Sequence, residues 1–347
     1  MPDRYRLFGS ELSPYSVKVR SVLRYKGVPH QWVVRTPAHR EEFERYAKLP
    51  LVPLLVTPEE QGMQDSTPIV LALEAAHPTP RINPPAQPLA FLSLLLEEFA
   101  DEWGNKWMFH YRWAREVDQH SASQRIAESL LPPEADENQI AATAAEIRER
   151  MVQRVWFVGS SPQTAPLIER SFRDALGLLE RHLESRRFLF GDRPALADFG
   201  LWGQLYECWS DPTPHGLIAE SAPAVIAWIE RLLSPKARPE HSDGAVGWEP
   251  WEHLEPTLEP LLREQVAELF LPWSDANARA LERGDDEFSI DLTGGAWTQR
   301  PQKYHAKSLA TLRRAWLETP QHEGLRQILD DTGCLAWLEP KPPPPAA

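Results

Sequence analysis

The first 80 residues alternate short apolar runs with segments whose apolar residues recur at helical spacing. The apolar runs predict strands at Tyr5 to Phe8, Trp32 to Val34, Leu54 to Val56 and, more weakly, Gly62 to Gln64. Between and after them, helices are predicted from Pro14 to about Lys26, from Glu41 to Ala47 and from Ser66 to Ala76. The order β-α-β-α-β-β-α indicates a small α/β domain over residues 1–80.

A proline-rich stretch, PTPRINPPAQP at 78–88, then interrupts the pattern, and we place a linker at 81–88. From there the apolar spacing is helical throughout, which predicts an all-α domain over residues 89–244. Its predicted helices cover 89–118, 139–158, 165–184, 196–209 and 222–233, followed by a loop at 234–250.

Residues 245–340 are less regular and predict an α+β extension. Helices are expected at 255–271, 273–282 and 304–317, and a hairpin at 288–298 around Gly294-Gly295. The tail at 341–347 is mostly proline and is expected to be disordered.

Composition narrows the function classes. The net charge of −13 over 347 residues argues against nucleic-acid binding and anionic-membrane binding, since both depend on Lys and Arg. No apolar run reaches the roughly 18 residues of a membrane span, and the first ten residues lack a signal-peptide pattern, so we expect a cytoplasmic protein. The only two cysteines exclude a cysteine zinc site, and the scattered histidines suggest no metal.

Ser13-Pro14 joins the first strand to the first helix. Ser at the N-cap and Pro at the first helical position are ordinary helix-opening residues. A helix N-terminus also stabilises an anion such as a thiolate, and a serine hydroxyl adds a hydrogen bond to it. The sequence alone leaves both interpretations open.

Two further features bear on that choice. Val52-Pro53 opens the third strand, where a cis peptide would turn the Val52 backbone toward a peptide ligand. Asp65-Ser66 opens the third helix, where Ser66 is placed to cap, the N-terminus favours a carboxylate and Asp65 can pair with an ammonium. Each of these dipeptides can be explained alone by an ordinary turn or helix cap. The three together, in this order and spacing with Ser13-Pro14 first, are unlikely to occur by chance.

With these motifs, residues 1–80 resemble the thioredoxin-fold domain of cytosolic glutathione transferases. Ser13-Pro14-Tyr15-Ser16 stands where glutaredoxins have Cys-Pro-Tyr-Cys and serine-type transferases have Ser-Pro. The stretches at 51–55 and 64–69 resemble the family's cis-proline and γ-glutamyl segments, and 191–198 resembles the capping box of its buried helix. The resemblance implies a thioredoxin-like first domain and an all-helical second domain, here with an added extension.

The resemblance also implies site roles and glutathione as co-substrate. Ser13 would bind the glutathione sulfur and favour its thiolate, with Ser16 as the less favoured alternative. The remaining glutathione contacts would come from Val52, Pro53, Asp65 and Ser66, with Arg40 or Lys48 for the glycyl carboxylate. Two departures stand out, since Ser replaces both redox cysteines and Ala195 occupies the place of a capping Ser or Thr.

A run of aromatic residues follows in the second domain. Trp103, Trp107, His110 and Tyr111 share one helix face, which either lines a pocket for an apolar electrophile or packs in the core. Tyr15 is a further pocket candidate beside Ser13, and Trp202 and Tyr206 are weaker ones. The acidic residues of this helix are expected to form a solvated face, namely Glu97, Glu98, Asp101 and Glu102.

The resulting expectation is a homodimeric glutathione transferase that directs the thiolate at an apolar electrophile or a peroxide. A non-catalytic interaction protein with the same fold is one alternative, since the Trp and Pro enrichment, 14 and 34 residues, suits an interface. A specialised glutathione-dependent lyase or isomerase is another.

Overall fold

The computed structural model describes residues 4–242, 246–320 and 323–339. The tail that the sequence predicts to be disordered lies outside these residues.

A four-stranded mixed sheet forms the first domain. Its strands are β1 (Tyr5–Gly9), β2 (His30–Val34), β3 (Leu54–Val56) and β4 (Gly62–Gln64), in the order β2-β1-β3-β4. β2 runs parallel to β1, whereas β3 is antiparallel to both β1 and β4. Three helices pack around the sheet, α1 (Pro14–Tyr25), α2 (Arg40–Tyr46) and α3 (Ser66–Ala76). This is the thioredoxin-like arrangement that the sequence predicts.

The second domain is all-helical, as predicted, but the bounds of its helices differ from the predicted ones. Its helices are α4 (Leu89–Phe99), α5 (Asn105–Ala114), α6 (Glu116–Leu130), α7 (Glu137–Val152), α8 (Ala165–Leu183), α9 (Leu196–Trp209), α10 (Pro212–Ser221) and α11 (Pro223–Leu233). The single helix predicted over 89–118 is therefore wrong. A π-helical turn, Ala100–Gly104, joins α4 to α5, and Arg115 in an extended conformation separates α5 from α6.

The buried helix α9 lacks half of its capping box because Ala195 has no side-chain acceptor. The other half is present, since an Asp198 carboxylate oxygen accepts from the Ala195 N–H at 2.8 Å. The second oxygen of Asp198 accepts from the Leu189 N–H and the Trp228 indole, both at 2.9 Å. Asp198 thereby compensates for the missing cap by tying α9 to α11.

The extension consists of α12 (Trp251–Leu261), a π-helical segment (Leu262–Phe270), α13 (Leu271–Arg283), the hairpin strands β5 (Phe288–Leu292) and β6 (Gly295–Gln299), α14 (Lys303–Glu318), α15 (Glu323–Asp331) and α16 (Leu335–Leu338). The predicted hairpin is confirmed, whereas α15 and α16 were not predicted. The buried apolar residues of the extension belong to the same continuous core as those of the first and second domains.

Four of the 14 tryptophans share hydrogen-bond acceptors in two pairs. The Ser171 hydroxyl accepts from the indoles of Trp103 and Trp107, at 2.8 and 3.0 Å. The Gln299 amide oxygen likewise accepts from Trp273 and Trp297, at 3.0 and 3.1 Å. Since a buried indole N–H needs an acceptor, each pair is fixed within its own part of the chain. Two further hydrogen bonds join the helical domain to the extension, because the Ser171 hydroxyl donates to Gln265 at 2.8 Å and the Gln299 amide donates to the Phe157 carbonyl at 3.0 Å.

Between these tryptophans lies the ammonium group of Lys106. Its Nζ is 3.5 Å from the centre of the Trp273 ring and donates to the Val158 carbonyl at 3.2 Å. Burial lowers the pKa of Lys106 to about 7. A cation–π contact in a dry environment thus adds to the connection between α5 and the extension.

Close packing of α9 against α1 generates the first prediction. A Cβ at Gly203 would lie 2.7 Å from the Pro14 carbonyl oxygen, whereas a Cβ at Gly177 in α8 would contact nothing within 4 Å. Gly203→Ala should therefore lower the free energy of unfolding by about 1–3 kcal/mol. Gly177→Ala is the matched control and should be neutral or stabilising by up to about 1 kcal/mol. Urea unfolding curves of both variants test this, and equal midpoints would contradict it.

Candidate active site

Three of the predicted motifs meet at one edge of the sheet. Phe8 of β1 pairs with Leu54 of β3, and Leu54 pairs with Gln64 of β4. Because β3 runs opposite to both neighbours, the end of β1, the start of β3 and the end of β4 share this edge. The loop to Ser13, the Val52-Pro53 peptide and the Asp65-Ser66 pair therefore emerge side by side.

Ser13 is the N-cap of α1, and its hydroxyl oxygen accepts from the Ser16 N–H at 3.3 Å. Ser13 is partly exposed, whereas the Ser16 side chain is completely buried and its hydroxyl has no partner in the described residues. Of the two hydroxyls, only that of Ser13 is open to a ligand at the surface.

The Tyr15 hydroxyl donates to the Asp101 carbonyl at 2.9 Å, which ties the first turn of α1 to the π-helical turn. Burial and the nearby Asp101 carboxylate raise the pKa of Tyr15 well above its ordinary value. The phenol therefore stays protonated at neutral pH and acts here as a donor. Its ring is partly exposed.

The loop before Ser13 is also anchored to the helical domain. Arg112 of α5 donates to the Leu12 carbonyl at 2.8 Å and to the carboxylates of Glu207 and Asp211, both at 2.6 Å. All three charged side chains are buried. Because a buried guanidinium needs such partners, this cluster fixes the Leu12 backbone next to the candidate hydroxyl.

The Val52–Pro53 peptide is cis, as the sequence predicts. Gln64 holds the preceding loop, since its side-chain oxygen accepts from the Lys48 N–H at 2.7 Å. Its amide group donates to the carbonyls of Leu49 and Leu51, both at 2.8 Å. Sequence reasoning treated Gln64 only as part of a motif and did not find this positioning role.

At the start of α3 the structure corrects the expected capping. Asp65, not Ser66, is the N-cap residue, with a φ of 79° and no capping hydrogen bond from its side chain. The Ser66 side chain is buried and donates to Asp101 at 3.3 Å. The Asp65 carboxylate instead accepts from the Tyr304 hydroxyl of the extension at 3.1 Å.

Neither candidate for the glycyl carboxylate is fixed in place. The Arg40 side chain is 74% exposed and pairs with Glu44, one turn away on α2. Lys48 is exposed in the loop that Gln64 holds. The structure does not choose between them.

Behind the sheet edge lies a buried ion cluster centred on Lys18 of α1. Its ammonium donates to Glu97 and, at 2.7 Å, to Asp101 of the helical domain. It also lies 3.4 Å from the hydroxyls of Ser66 and Thr67 at the start of α3. No local sequence signal singles out Lys18, because its carboxylate partners are about 80 residues away.

One ammonium faces two buried carboxylates in this cluster, and the pKa values reflect the imbalance. Burial alone would lower the pKa of Lys18, but Asp101 and Glu97 outweigh it and raise the pKa. Burial, together with the charge of Glu97, raises the pKa of Asp101 to about 7 despite Lys18. Asp101 is therefore poised to exchange a proton near neutral pH.

The predicted solvated acidic face is wrong, since Glu97, Glu98, Asp101 and Glu102 are all buried. Glu97 and Asp101 face Lys18, as described above. Glu98 and Glu102 form a second row that α14 covers, with Ser308 donating to Glu98 and His305 bonded to Glu102. Burial and the charge of Glu97 raise the pKa of Glu98 well above its ordinary value.

The aromatic stripe belongs to the core. Trp107 and Tyr111 are both completely buried, and both pack edge-on against Phe172 of α8. In this conformation neither lines an open pocket, so the core alternative describes them. Trp202 is also buried and stacks on the partly exposed Tyr206 at 5.0 Å.

Two concavities in the described part of the chain lie elsewhere. A groove of about 630 Å³ separates α6 from α7, and one of about 230 Å³ lies between α8 and the hairpin turn. Neither contains a predicted glutathione-binding residue. The described residues contain no cluster of three or more metal-ligating side chains and no helix long and apolar enough to cross a membrane.

Two family models match the chain. The glutathione S-transferase N-terminal domain matches residues 7–81, which hold the whole sheet edge described above. The glutathione S-transferase C-terminal domain matches residues 134–231. The chain belongs to the glutathione S-transferase family.

Several solved glutathione transferases are similar to it. One from Methylobacterium radiotolerans, in complex with glutathione sulfonate, is 22% identical, with 71% of this chain and 96% of that chain covered and a TM-score of 0.40. One from Methylobacillus flagellatus with GSH bound is 18% identical, with 70% and 98% covered and a TM-score of 0.41. GSTFuA2 from Phanerochaete chrysosporium is 15% identical, with 69% and 98% covered and a TM-score of 0.46. No curated protein sequence matches the chain.

The buried cluster around Lys18 generates a pH prediction. Since the pKa of Asp101 in the folded protein, about 7, exceeds its ordinary value of 3.8, folding takes up a proton between these values. The free energy of unfolding should then fall as the pH rises from about 4 to 7, by up to about 1.4 kcal/mol per pH unit for this group. Asp101→Asn cannot ionise and should remove that part of the slope.

Urea unfolding of the wild type and Asp101→Asn at several pH values between about 4.5 and 7.5 measures the two slopes. Asp174→Asn, at an exposed position, controls for the loss of one negative charge. If Asp101→Asn keeps the full wild-type slope, the raised pKa of Asp101 is wrong.

Proposed function

We propose that the protein is a glutathione transferase that binds glutathione at the described sheet edge and activates its thiol through Ser13. The observation that carries the proposal is the partly exposed Ser13 hydroxyl at the N-terminus of α1, beside the cis-Pro53 loop and Asp65. The complete burial of Ser16 supports Ser13 as the residue that binds the sulfur.

The chemistry follows from the charge that develops on sulfur. The α1 N-terminus and a hydrogen bond donated by Ser13 stabilise the thiolate, lowering a thiol pKa that is ordinarily about 8.5. The thiolate then attacks an electrophilic carbon, forming a C–S bond while a leaving group departs or a proton adds to the product. With a peroxide, the same thiolate attacks one oxygen, so that an S–O bond forms as the O–O bond breaks and the other oxygen leaves as an alcohol after taking up a proton. A second glutathione then converts the sulfenic acid to glutathione disulfide and water.

The other groups would hold the tripeptide. The Val52 main chain would pair with the cysteinyl unit next to Pro53, and Asp65 would bind the γ-glutamyl ammonium. The Ser66 side chain is buried, so it would not bind the γ-glutamyl carboxylate itself. The backbone N–H groups at the start of α3 would bind that carboxylate instead. Arg40 or Lys48 would reach the glycyl carboxylate.

Among the candidate residues for binding the second substrate, Tyr15 is the one closest in sequence to Ser13. Tyr15 is partly exposed. We propose an apolar electrophile or peroxide as that substrate. In the cytoplasm, the reduction potential of the glutathione pool would keep glutathione in its reduced thiol form.

Ser13→Ala tests the catalytic role. Loss of the donor should lower kcat/KM for conjugation by about 100-fold, the size usual for removing one donor to an oxyanion. It should also raise the thiol pKa of bound glutathione toward its solution value, read from the absorbance of the thiolate as a function of pH. Ser13→Thr keeps the hydroxyl and should restore much of the activity.

Ser16→Ala is the matched variant within the same motif and should retain activity, because its hydroxyl is buried and unpartnered. If Ser16→Ala abolishes activity while Ser13→Ala keeps it, the two roles are reversed. If the wild type binds glutathione but turns over no substrate from a panel of aryl halides, peroxides and aryl ethers, the non-catalytic alternative replaces the proposal.

We also propose the homodimer that the family resemblance implies. Sedimentation equilibrium of the purified protein should give twice the chain mass of 39.6 kDa. A single species at the chain mass over the concentration range used for assays would contradict it.

A further inference from the structure

An extension residue reaches the edge at which we propose glutathione binds. The Tyr304 hydroxyl donates to an Asp65 carboxylate oxygen at 3.1 Å, joining residues 239 positions apart. Tyr304 is 50% exposed, so its hydroxyl and Asp65 lie at a surface that a ligand can enter. Asp65 makes no capping bond to α3, which leaves its second oxygen for a ligand.

The position of Tyr304 is fixed from both sides along the chain. Gln302, the N-cap of α14, donates its N–H to the Asn277 side chain at 2.7 Å, and its carbonyl accepts from the same amide at 3.0 Å. Asn277 is completely buried in α13. His305, directly after Tyr304, is bonded to Glu102 and packs edge-on against Trp273, with ring centres 4.8 Å apart.

The electrostatic surroundings agree with this placement. Although half of the Tyr304 surface is exposed, its hydroxyl end is partly buried beside Asp65 and Glu102. This partial burial, together with the two carboxylates, raises the pKa of Tyr304 above its ordinary value. The phenol therefore stays protonated at neutral pH and remains a donor. A protonated donor on one carboxylate oxygen fixes the carboxylate plane and leaves its charge available to a cation.

We propose that Tyr304 is a positioning residue of the glutathione site, which orients the Asp65 carboxylate toward the γ-glutamyl ammonium. This rests on the proposed function. The extension would thus help to recognise one end of glutathione, at a distance from the sulfur.

The test compares two ligands by isothermal titration calorimetry. Glutathione carries the ammonium, whereas glutaryl-Cys-Gly has the same backbone and carboxylates without it. Tyr304→Phe keeps the ring and removes the hydroxyl, and it should weaken glutathione binding by about 5- to 10-fold while leaving the binding of glutaryl-Cys-Gly within about 2-fold. In an Asp65→Asn background, Tyr304→Phe should have no further effect on glutathione.

Tyr5→Phe is the matched control, since it also removes a phenol hydroxyl bonded at 3.1 Å, here to His77, at the opposite end of β1. It should leave both affinities unchanged. Equal weakening of both ligands by Tyr304→Phe would mean a merely structural role, and unchanged glutathione binding would mean no role. Tighter binding would mean that Tyr304 blocks Asp65, and each of these results overturns the proposal.

A separate outcome concerns the proposed function itself. If the wild type binds neither ligand, glutathione recognition fails and the role of Tyr304 fails with it. If the wild type binds glutathione and Tyr304→Phe binds it equally well, only the role of Tyr304 fails.

Discussion

A single buried ammonium, that of Lys18, determines how the two family domains fit together. It projects from α1 into the helical domain, between Glu97 and Asp101, with the hydroxyls at the start of α3 beside it. Removing these charges from water is costly, and only simultaneous contact among all of them offsets that cost. The first turn of α1 and the first turn of α3, which carry Ser13 and Asp65, therefore cannot shift independently of α4. Arg112 imposes a second constraint of the same kind on the loop before Ser13.

The extension completes this arrangement and does not form a core of its own. The four acidic residues around the π-helical turn form two rows, of which one pairs with Lys18 of α1 and the other is covered by α14. Hydrogen bonds from Ser171 to Gln265 and from Gln299 to the Phe157 carbonyl join the helical domain to the extension, and the two share one continuous core. Covering the second row is what brings the first turn of α14 to Asp65.

The features that could be predicted from the sequence are those that depend on residues near one another in the chain. Strand alternation, the Ser13-Pro14 helix start and the Gly294-Gly295 hairpin depend on residues close in the chain, and all agree with the structure. The cis Val52–Pro53 peptide, which the family resemblance implies, is also present. The predicted solvated face at Glu97 to Glu102 is wrong because a charged helix face is solvated only if nothing covers it. Here the partner of Glu97 and Asp101 lies about 80 residues earlier, and the cover of Glu98 and Glu102 lies about 200 residues later. Trp107 could not be assigned to pocket or core for the same reason. Tyr304 carries no local signal at all, since only the tertiary fold brings it to Asp65.

The hydrogen bond between Asp65 and Tyr304 has a consequence for how the protein is made. A nascent chain that has emerged as far as α11 already contains the sheet edge, Ser13 and the Lys18 cluster. It still lacks His305 and Ser308, so Glu98 and Glu102 remain hydrated and the first turn of α3 has no neighbour from α14. The Asp65 carboxylate acquires its hydrogen bond from Tyr304 only after α14 has been synthesised. Synthesis of α14 and completion of the surroundings of Asp65 are thus coupled, so that loss of α14 would alter the start of α3 in the first domain.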